Sequence, residues 1–374
     1  MRGGHEHHSR RGITTIGAAI IVVCVGAVQT SCAVPLPAAT TTPITQPSAT
    51  PTPTPTPELT AAERLLATTD DPAACAVTYQ SRGVDTAPVL QSEGALYAGL
   101  PLPLEDGAVF AGWYSTPAAA AAYDVTARVN GAAEVACHDR QSTLYAGWMT
   151  LDAATAAGTE VPILMYHQFT QRPEGEDSWL RGNFAYIRDW DAHMAYIAQT
   201  GFYLPTWDEL SAFIDGRLYL PPRSVIVTDD DNDATWQQWA APIATQYKVL
   251  TTSFAITIDG LGAELGPYVQ KRSHTHDMHT AGENGKGRMV NWSVEQIAAD
   301  LETSAQILGG TKQVIAYPYG HYDDRSKQGV AAAGFEMART IEQGYVRPGT
   351  DKLALPCIRV NYGMTVDDLA RLIG

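Results

Sequence analysis

From residue 161 to residue 374, short β-prone runs alternate with longer stretches whose apolar positions recur at helical spacing. The runs are VPILMYH, SVIVT, TTSFAIT, QVIAYPYG and CIRV. The intervening and closing stretches are NFAYIRDWDAHMAYIAQTG, ATWQQWAAPIATQY, SVEQIAADLETSAQILG and TVDDLARLIG. Strands separated by crossover helices pair in parallel, so this segment is expected to be an α/β barrel or an open α/β sheet. In either architecture chemistry collects at the C-terminal ends of the strands.

Upstream the pattern changes. Between about residues 58 and 152 the runs AVTYQSRG, AVFAGWYS and STLYAGWM are short, β-prone and broken by Gly and Pro, which predicts a small β-rich module joined to the larger domain by a linker at 153–160. Trp113 and Trp148 are expected to pack its core, because a module this small needs large side chains inside. Residues 33–57 are a Thr/Pro tract that cannot bury a core and reads as an extended spacer. Residues 1–32 combine a basic start, an apolar stretch of signal-peptide length and small residues before Cys32, which reads as export. Ser9–Gly12 resembles a twin-arginine start, and the residues before Cys32 resemble a lipoprotein box, with an uncleaved anchoring helix as the alternative. The expected location is extracellular, on the membrane or cell wall.

Composition narrows the partners. The chain has 374 residues, a formal net charge of −15 and no dense Lys/Arg run, so nucleic acid and anionic membrane are disfavoured as its main partners. Membrane contact is expected only through the N-terminal signal or anchor. Of five cysteines, Cys75 and Cys137 share one exported segment and are candidates for a disulfide, while Cys357 stands alone.

The strand-like run SVIVT ends in Asp229, Asp230, Asp231 and, one residue on, Asp233. Other strand ends carry His167, the trio His274, His276 and His279, and His321. One carboxylate with two imidazoles suits zinc or a similar divalent ion. His274 and His279 can share an ion only if the chain turns between them, and His276 stays a rival ligand, since it would share a strand face with His274.

These motifs resemble two families. Val77–Tyr79, Phe110 with Gly112–Tyr114, and Leu144–Ala146 with Trp148 resemble the internalin-type B-repeat. Residues 161–374 resemble a polysaccharide deacetylase catalytic domain of carbohydrate esterase family 4, the NodB-homology fold, on four motifs: Thr228–Asn232, His274–His279, Ala316–Asp324 and Leu355–Val360. The resemblance implies a distorted (β/α) barrel preceded by the β-rich module. It further implies Asp230 as general base and Asp231, His274 and His279 as ligands of a divalent ion, Zn²⁺ before Co²⁺ or Mn²⁺. His167, as imidazolium, would be the acid, and Arg359 would orient Asp230 in place of the arginine missing from the third motif. Tyr317, Tyr319 and His321 would line the cleft, with loop capping as the other role open to His321.

The implied reaction is removal of N-acetyl groups from an extracellular or cell-wall polysaccharide such as peptidoglycan, poly-N-acetylglucosamine or chitin. An O-acetyl esterase and a non-catalytic wall-binding protein are the alternatives. Three departures stand out: Asp229 replaces an apolar residue, Asn232 replaces glycine, and Ala316–Tyr317 stands where an arginine is common. A register shifted by one, with Asp229 and Asp230 as the working pair, follows from the first.

Overall fold

The computed structural model describes residues 58–177 and 181–374, so the expected export signal and Thr/Pro spacer lie outside the described residues. The N-terminal part holds α1 (Ala61–Leu66), α2 (Pro117–Ala122) and α3 (Leu151–Ala156). Its strands are β1 (Ala74–Ser81), β2 (Val84–Asp85), β3 (Val89–Ser92), β4 (Ala108–Tyr114) and β5 (Gln141–Thr150). They form one sheet in the order β2-β1-β5-β4, with β3 also on β1. A Cys75–Cys137 disulfide joins residues 62 apart in the chain, a constraint on the unfolded state that contributes about 4 kcal/mol in the loop-entropy account. Trp113 is buried against Tyr79 and Phe110, and half-buried Trp148 packs on Phe110 while its indole N–H bonds Ser81 Oγ at 3.0 Å.

The remaining strands are β6 (Ile163–Tyr166), β7 (Gln168–Thr170), β8 (Phe184–Tyr186), β9 (Ile226–Asp231), β10 (Thr251–Ala255), β11 (Val269–Ser273), β12 (Val314–Ala316), β13 (Met337–Gln343) and β14 (Leu355–Arg359). Seven of them close into a barrel in the order β10-β11-β12-β13-β14-β6-β9, every pair parallel. Helices α4 (Ile187–Gln199), α5 (Trp207–Ile214), α6 (Ala241–Gln246), α7 (Val294–Ile307), α8 (Asp324–Ala332) and α9 (Val366–Ile373) follow in chain order. Among the described residues, five of the nine α-helices begin with a reciprocal capping box, for example Thr206 with Glu209 and Ser293 with Gln296. Each box satisfies amide donors that the first turn cannot pair. Among the described residues no helix is long and apolar enough to cross a membrane.

Alternation along the strands sorts side chains between two cores. Met165, Ile226, Phe254, Met337, Leu355 and Cys357 fill the barrel interior, whereas Leu164, Tyr166, Val227 and Ile358 face the outer helices. The interior cluster continues through Leu218, Leu220 and Trp207 into Phe110, Tyr79 and Val77 of the N-terminal sheet. Backbone bonds run between Phe110 and Arg217–Tyr219 in both directions, and Thr159 Oγ1 donates to Leu220 O at 2.8 Å. The described residues from 58 on thus fall in one compact unit. The segment at 153–160, expected as a linker, begins within α3 and is ion-paired through Glu160 to Arg347.

Candidate metal centre

Four aspartates end or follow β9, and the structure gives each a different surrounding. Asp230 shares the inward face with Ile226 and Thr228. Asp229 points outward with Val227, fully buried, its Oδ2 3.5 Å from Ser253 Oγ and its Oδ1 without a partner. Burial and the neighbouring carboxylates push its pKa well above the usual range, so it is held as the neutral acid. Asp233 accepts from Thr235 Oγ1 (2.7 Å) and Trp236 N (2.9 Å), capping the π-helical turn Trp236–Ala240 that leads into α6. Asp231 turns into the barrel mouth by adopting a positive φ of 77°, and Asn232 follows at 54°. Asparagine tolerates that left-handed conformation better than most residues, which explains how the chain manages without glycine here. Its amide is also anchored, to Ser253 Oγ at 3.1 Å and Leu261 O at 3.1 Å.

Asp231 Oδ1 lies 3.5 Å from His274 Nε2 and 3.4 Å from His279 Nε2, and one ligand atom from each of the three residues fits within a 4.8 Å spread. His274 Nδ1–H donates to Ala316 O at 2.9 Å, which fixes the tautomer and leaves Nε2 as a free lone pair. Burial lowers the pKa of His274, and burial together with His274 brings His279 down to about 4, so both rings are neutral near pH 7. Asp231 Oδ1 is buried with no hydrogen-bond partner. Burial raises the Asp231 pKa against the pull of His279 and His167. Two imidazole lone pairs and an orphaned carboxylate oxygen therefore face one point, and a divalent cation is the group this donor set fits.

The loop between the two histidines turns as their i, i+5 spacing demands. Asp300 of α7 accepts from the consecutive amides of His276 and Asp277, both at 2.8 Å, and Thr275 takes a φ of 73°. His276 is directed to Thr257 Oγ1 at 3.1 Å and stays outside the cluster. Gln168 Nε2 donates to Asp231 Oδ2 at 3.0 Å, which leaves Oδ1 as the ion-facing oxygen.

Asp230 meets a cation that sequence reasoning missed. Arg339 of β13, with no exposed surface, donates through Nη2 to Asp230 Oδ1, bonds Thr340 O at 3.0 Å and lies over Phe254. Burial works against the Asp230 charge, but the Arg339 guanidinium outweighs it and holds the pKa at about 2. Arg359, expected on Asp230, donates instead to Asn183 Oδ1. The cause is register: Arg339 pairs with Leu355, so its side chain rises through the barrel interior, while Arg359 leaves the same face at the rim, level with Met165. A lone arginine in the apolar run FEMARTI was the available signal, since a buried guanidinium requires a carboxylate partner.

His167 Nε2 stands 3.7 Å from Asp230 Oδ2. Burial lowers its pKa against the pull of Asp230 and Asp231, so the resting ring is neutral. These groups line a cavity of about 420 Å³ together with Tyr317, Tyr319, Ile341 and Arg359. The Tyr317 hydroxyl is tied to Leu353 O at 3.0 Å, so the ring forms wall rather than contact. Tyr319 packs on the His279 ring with centroids 4.4 Å apart and its hydroxyl donates to the His279 carbonyl, while the residue stays 43% exposed at the mouth. His321 accepts from Gly287 N at 3.1 Å and lies outside the cavity lining, the loop-capping role.

Residues 218–338 match the family model described as polysaccharide deacetylase. The poly-beta-1,6-N-acetyl-D-glucosamine N-deacetylase of Staphylococcus aureus (strain MRSA252) is 29% identical over 161 residues, covering 38% of this chain and 56% of the relative. That of Staphylococcus epidermidis is 26% identical over 162 residues, covering 38% and 56%. The chain thus spans about half the length of the curated relatives it matches. Two solved structures overlay on it with a TM-score of 0.49 each. The Streptococcus pyogenes deacetylase PplD in complex with acetate is 20% identical, covering 58% of this chain and 99% of that one. IcaB from Ammonifex degensii is 21% identical, covering 58% and 97%. Residues 218–338 of this chain carry a polysaccharide deacetylase domain of the NodB type.

Proposed function

We propose that residues 161–374 form a metal-dependent hydrolase that removes N-acetyl groups from a polysaccharide outside the cytoplasm. Poly-β-1,6-N-acetylglucosamine is the polymer class suggested by the relatives' names. The observation that carries this reading is the convergence, in one cavity, of the Asp231–His274–His279 donor set with the ionised Asp230. The export-like N-terminus and the Thr/Pro spacer would set the enzyme on the cell surface, and the B-repeat-like sheet would serve as part of its body.

Asp231, His274 and His279 would hold the ion, zinc being the best match to one carboxylate and two neutral imidazoles. When bound, such an ion acidifies water toward a pKa of about 7 and polarises a carbonyl. Asp230 would take the proton released as water attacks the acetamide. Because a carboxylate at about 2 is a weak base, it would pass that proton on rather than keep it. His167, neutral at rest and 3.7 Å away, would receive it and deliver it to the departing sugar nitrogen. Arg339 would keep Asp230 ionised and aimed, and Tyr319 would flank the sugar at the cavity mouth.

The test is acetate release by the purified, metal-loaded protein from β-1,6- and β-1,4-linked N-acetylglucosamine oligomers, peptidoglycan glycan and O-acetylated xylan in parallel. Release from an N-acetyl substrate is the expected result. Release from the ester alone would make the enzyme an esterase, and neither acetate nor stoichiometric metal would leave a wall-binding protein.

A further inference from the structure

Arg359 is the one arginine that lines the cavity, and among the described residues no carboxylate pairs with it. Its place is built in. β14 alternates Leu355, Cys357 and Arg359 onto the inward face, and Asn183, just before β8, accepts from Nη2 and pins the guanidinium at the rim. That bond uses one of five N–H groups, and no other side-chain hydrogen bond of Arg359 occurs among the described residues. Asp230 is already neutralised by Arg339, and Asp231 would be neutralised by the ion it holds, so neither carboxylate of the cavity offsets the Arg359 charge in the loaded protein. An uncompensated, permanently charged guanidinium beside the reacting groups acts on any charge the substrate carries.

Deacetylation creates such a charge, because it turns a neutral acetamide into an amine that is protonated in mild acid. We propose that Arg359 is a specificity-determining residue that repels an ammonium on the sugar beside the reacting acetamide. The cavity then favours acetylated neighbours and leaves deacetylated units spaced along the polymer. The inference rests on the deacetylase reading and extends it to the charge state of the substrate. Selectivity here comes from a built-in repulsion rather than an added attraction.

The experiment uses two N-acetylglucosamine oligomers of equal length, one fully acetylated and one with a single free amine next to the central acetamide, in mild acid. Calorimetric Kd values on metal-stripped protein carrying Asp231→Asn, so that neither an ion nor the Asp231 carboxylate adds charge, read the Arg359 charge without chemistry, and acetate release by the metal-loaded protein with Asp231 intact reads turnover. With Arg359 in place the protein is expected to prefer the acetylated oligomer by about tenfold in Kd, about 1.4 kcal/mol, with the preference shrinking as salt rises. Arg359→Lys should keep the preference, Arg359→Gln should erase it and Arg359→Glu should invert it. An equal Kd for both oligomers with Arg359 in place, or an unchanged ratio in folded Arg359→Gln and Arg359→Glu, overturns the proposal. A Kd ratio that follows residue 359 in a protein releasing no acetate would uphold the charge selection and sink the deacetylase reading instead.

Discussion

Arg339 Nη2 bonds Asp230 Oδ1 across the barrel interior, joining β13 to β9 over 109 residues of sequence, and both side chains are buried. This pair sets the chemistry of the carboxylate. Without the guanidinium, burial would be opposed only by the smaller pull of His167 and His274, and the Asp230 pKa would rise toward the neutral acid, which cannot accept a proton.

The pH dependence follows. In the wild type Asp230 stays ionised down to about pH 2, so the acid limb of kcat/KM should be set by the histidines. In Arg339→Gln the Asp230 pKa rises, the acid limb should move to higher pH, and kcat/KM at neutral pH should fall roughly 10–100-fold. Arg359→Gln should leave the position of the acid limb where it was. A pH–rate profile in which Arg359→Gln moves the limb and Arg339→Gln does not would return the orienting role to Arg359.

The same pair contributes to stability with a defined sign. The folded pKa of Asp230 lies below the ordinary carboxylate value, so its share of stability, about 2–3 kcal/mol, is present above about pH 4 and is lost as pH falls toward 2. Denaturation midpoints of Arg339→Lys measured between pH 5 and pH 2 should fall less steeply than those of the wild type if the lysine pairs more weakly.

Metal retention should follow the three converging side chains. Asp231→Ala, His274→Ala and His279→Ala should each lose the ion, whereas His276→Ala, whose ring faces Thr257, should keep it. Asp300→Ala removes the acceptor that turns the ligand loop and should weaken the metal by about 10–100-fold, with the helix it leaves still folded. Titration against a chromophoric chelator measures all five variants, and an Asp300→Ala affinity equal to wild type would make the loop self-supporting.

Much of this was legible in the sequence, and for identifiable reasons. The β/α alternation and the acids at the end of SVIVT are local patterns, and they place strands and strand ends without knowledge of pairing. The Cys75–Cys137 bridge and the core position of Trp113 followed from segment and size. What stayed hidden depends on contacts between distant strands. Arg339 and Arg359 sit on adjacent strands with the same inward orientation, and only the register tells which one reaches Asp230. Asp300 and Gln168 are likewise ordinary residues in sequence whose roles come from where the barrel brings them. The core shared by the N-terminal sheet and the barrel is formed by residues such as Phe110 and Leu218, which lie far apart in the chain and show no link in a linear reading.

That shared core makes a further expectation. Arg128, from the N-terminal part, is buried with all three guanidinium nitrogens lacking a hydrogen-bond partner, stacked 4.4 Å over the Tyr203 ring and 3.8 Å from Glu209 of α5. Glu209→Ala should cost about 3–5 kcal/mol by leaving that cation unpaired, and calorimetry of residues 58–374 should show one unfolding transition. Two separable transitions would mean the sheet and the barrel fold apart.

The last expectation concerns Asp229, the first of the acids at the end of β9. Its side chain lies on the outer face of β9 beside Val227, fully buried, with Oδ1 unpartnered and Oδ2 only 3.5 Å from a serine that already bonds Asn232. A buried polar group without a good partner costs roughly 1–3 kcal/mol, and an apolar side chain of similar size avoids that cost. Asp229→Leu should therefore raise the melting temperature while the metal stays bound and acetate release continues. Asp230→Asn should keep the metal and lose activity by a factor of about 10²–10⁴, because the proton acceptor is gone and the ligands are intact. The two variants differ by one position on one strand, and alternation puts one on each side of the barrel wall. An inactive, well-folded Asp229→Leu beside an active Asp230→Asn would place the working carboxylate on the outer face and overturn the register on which the site is built.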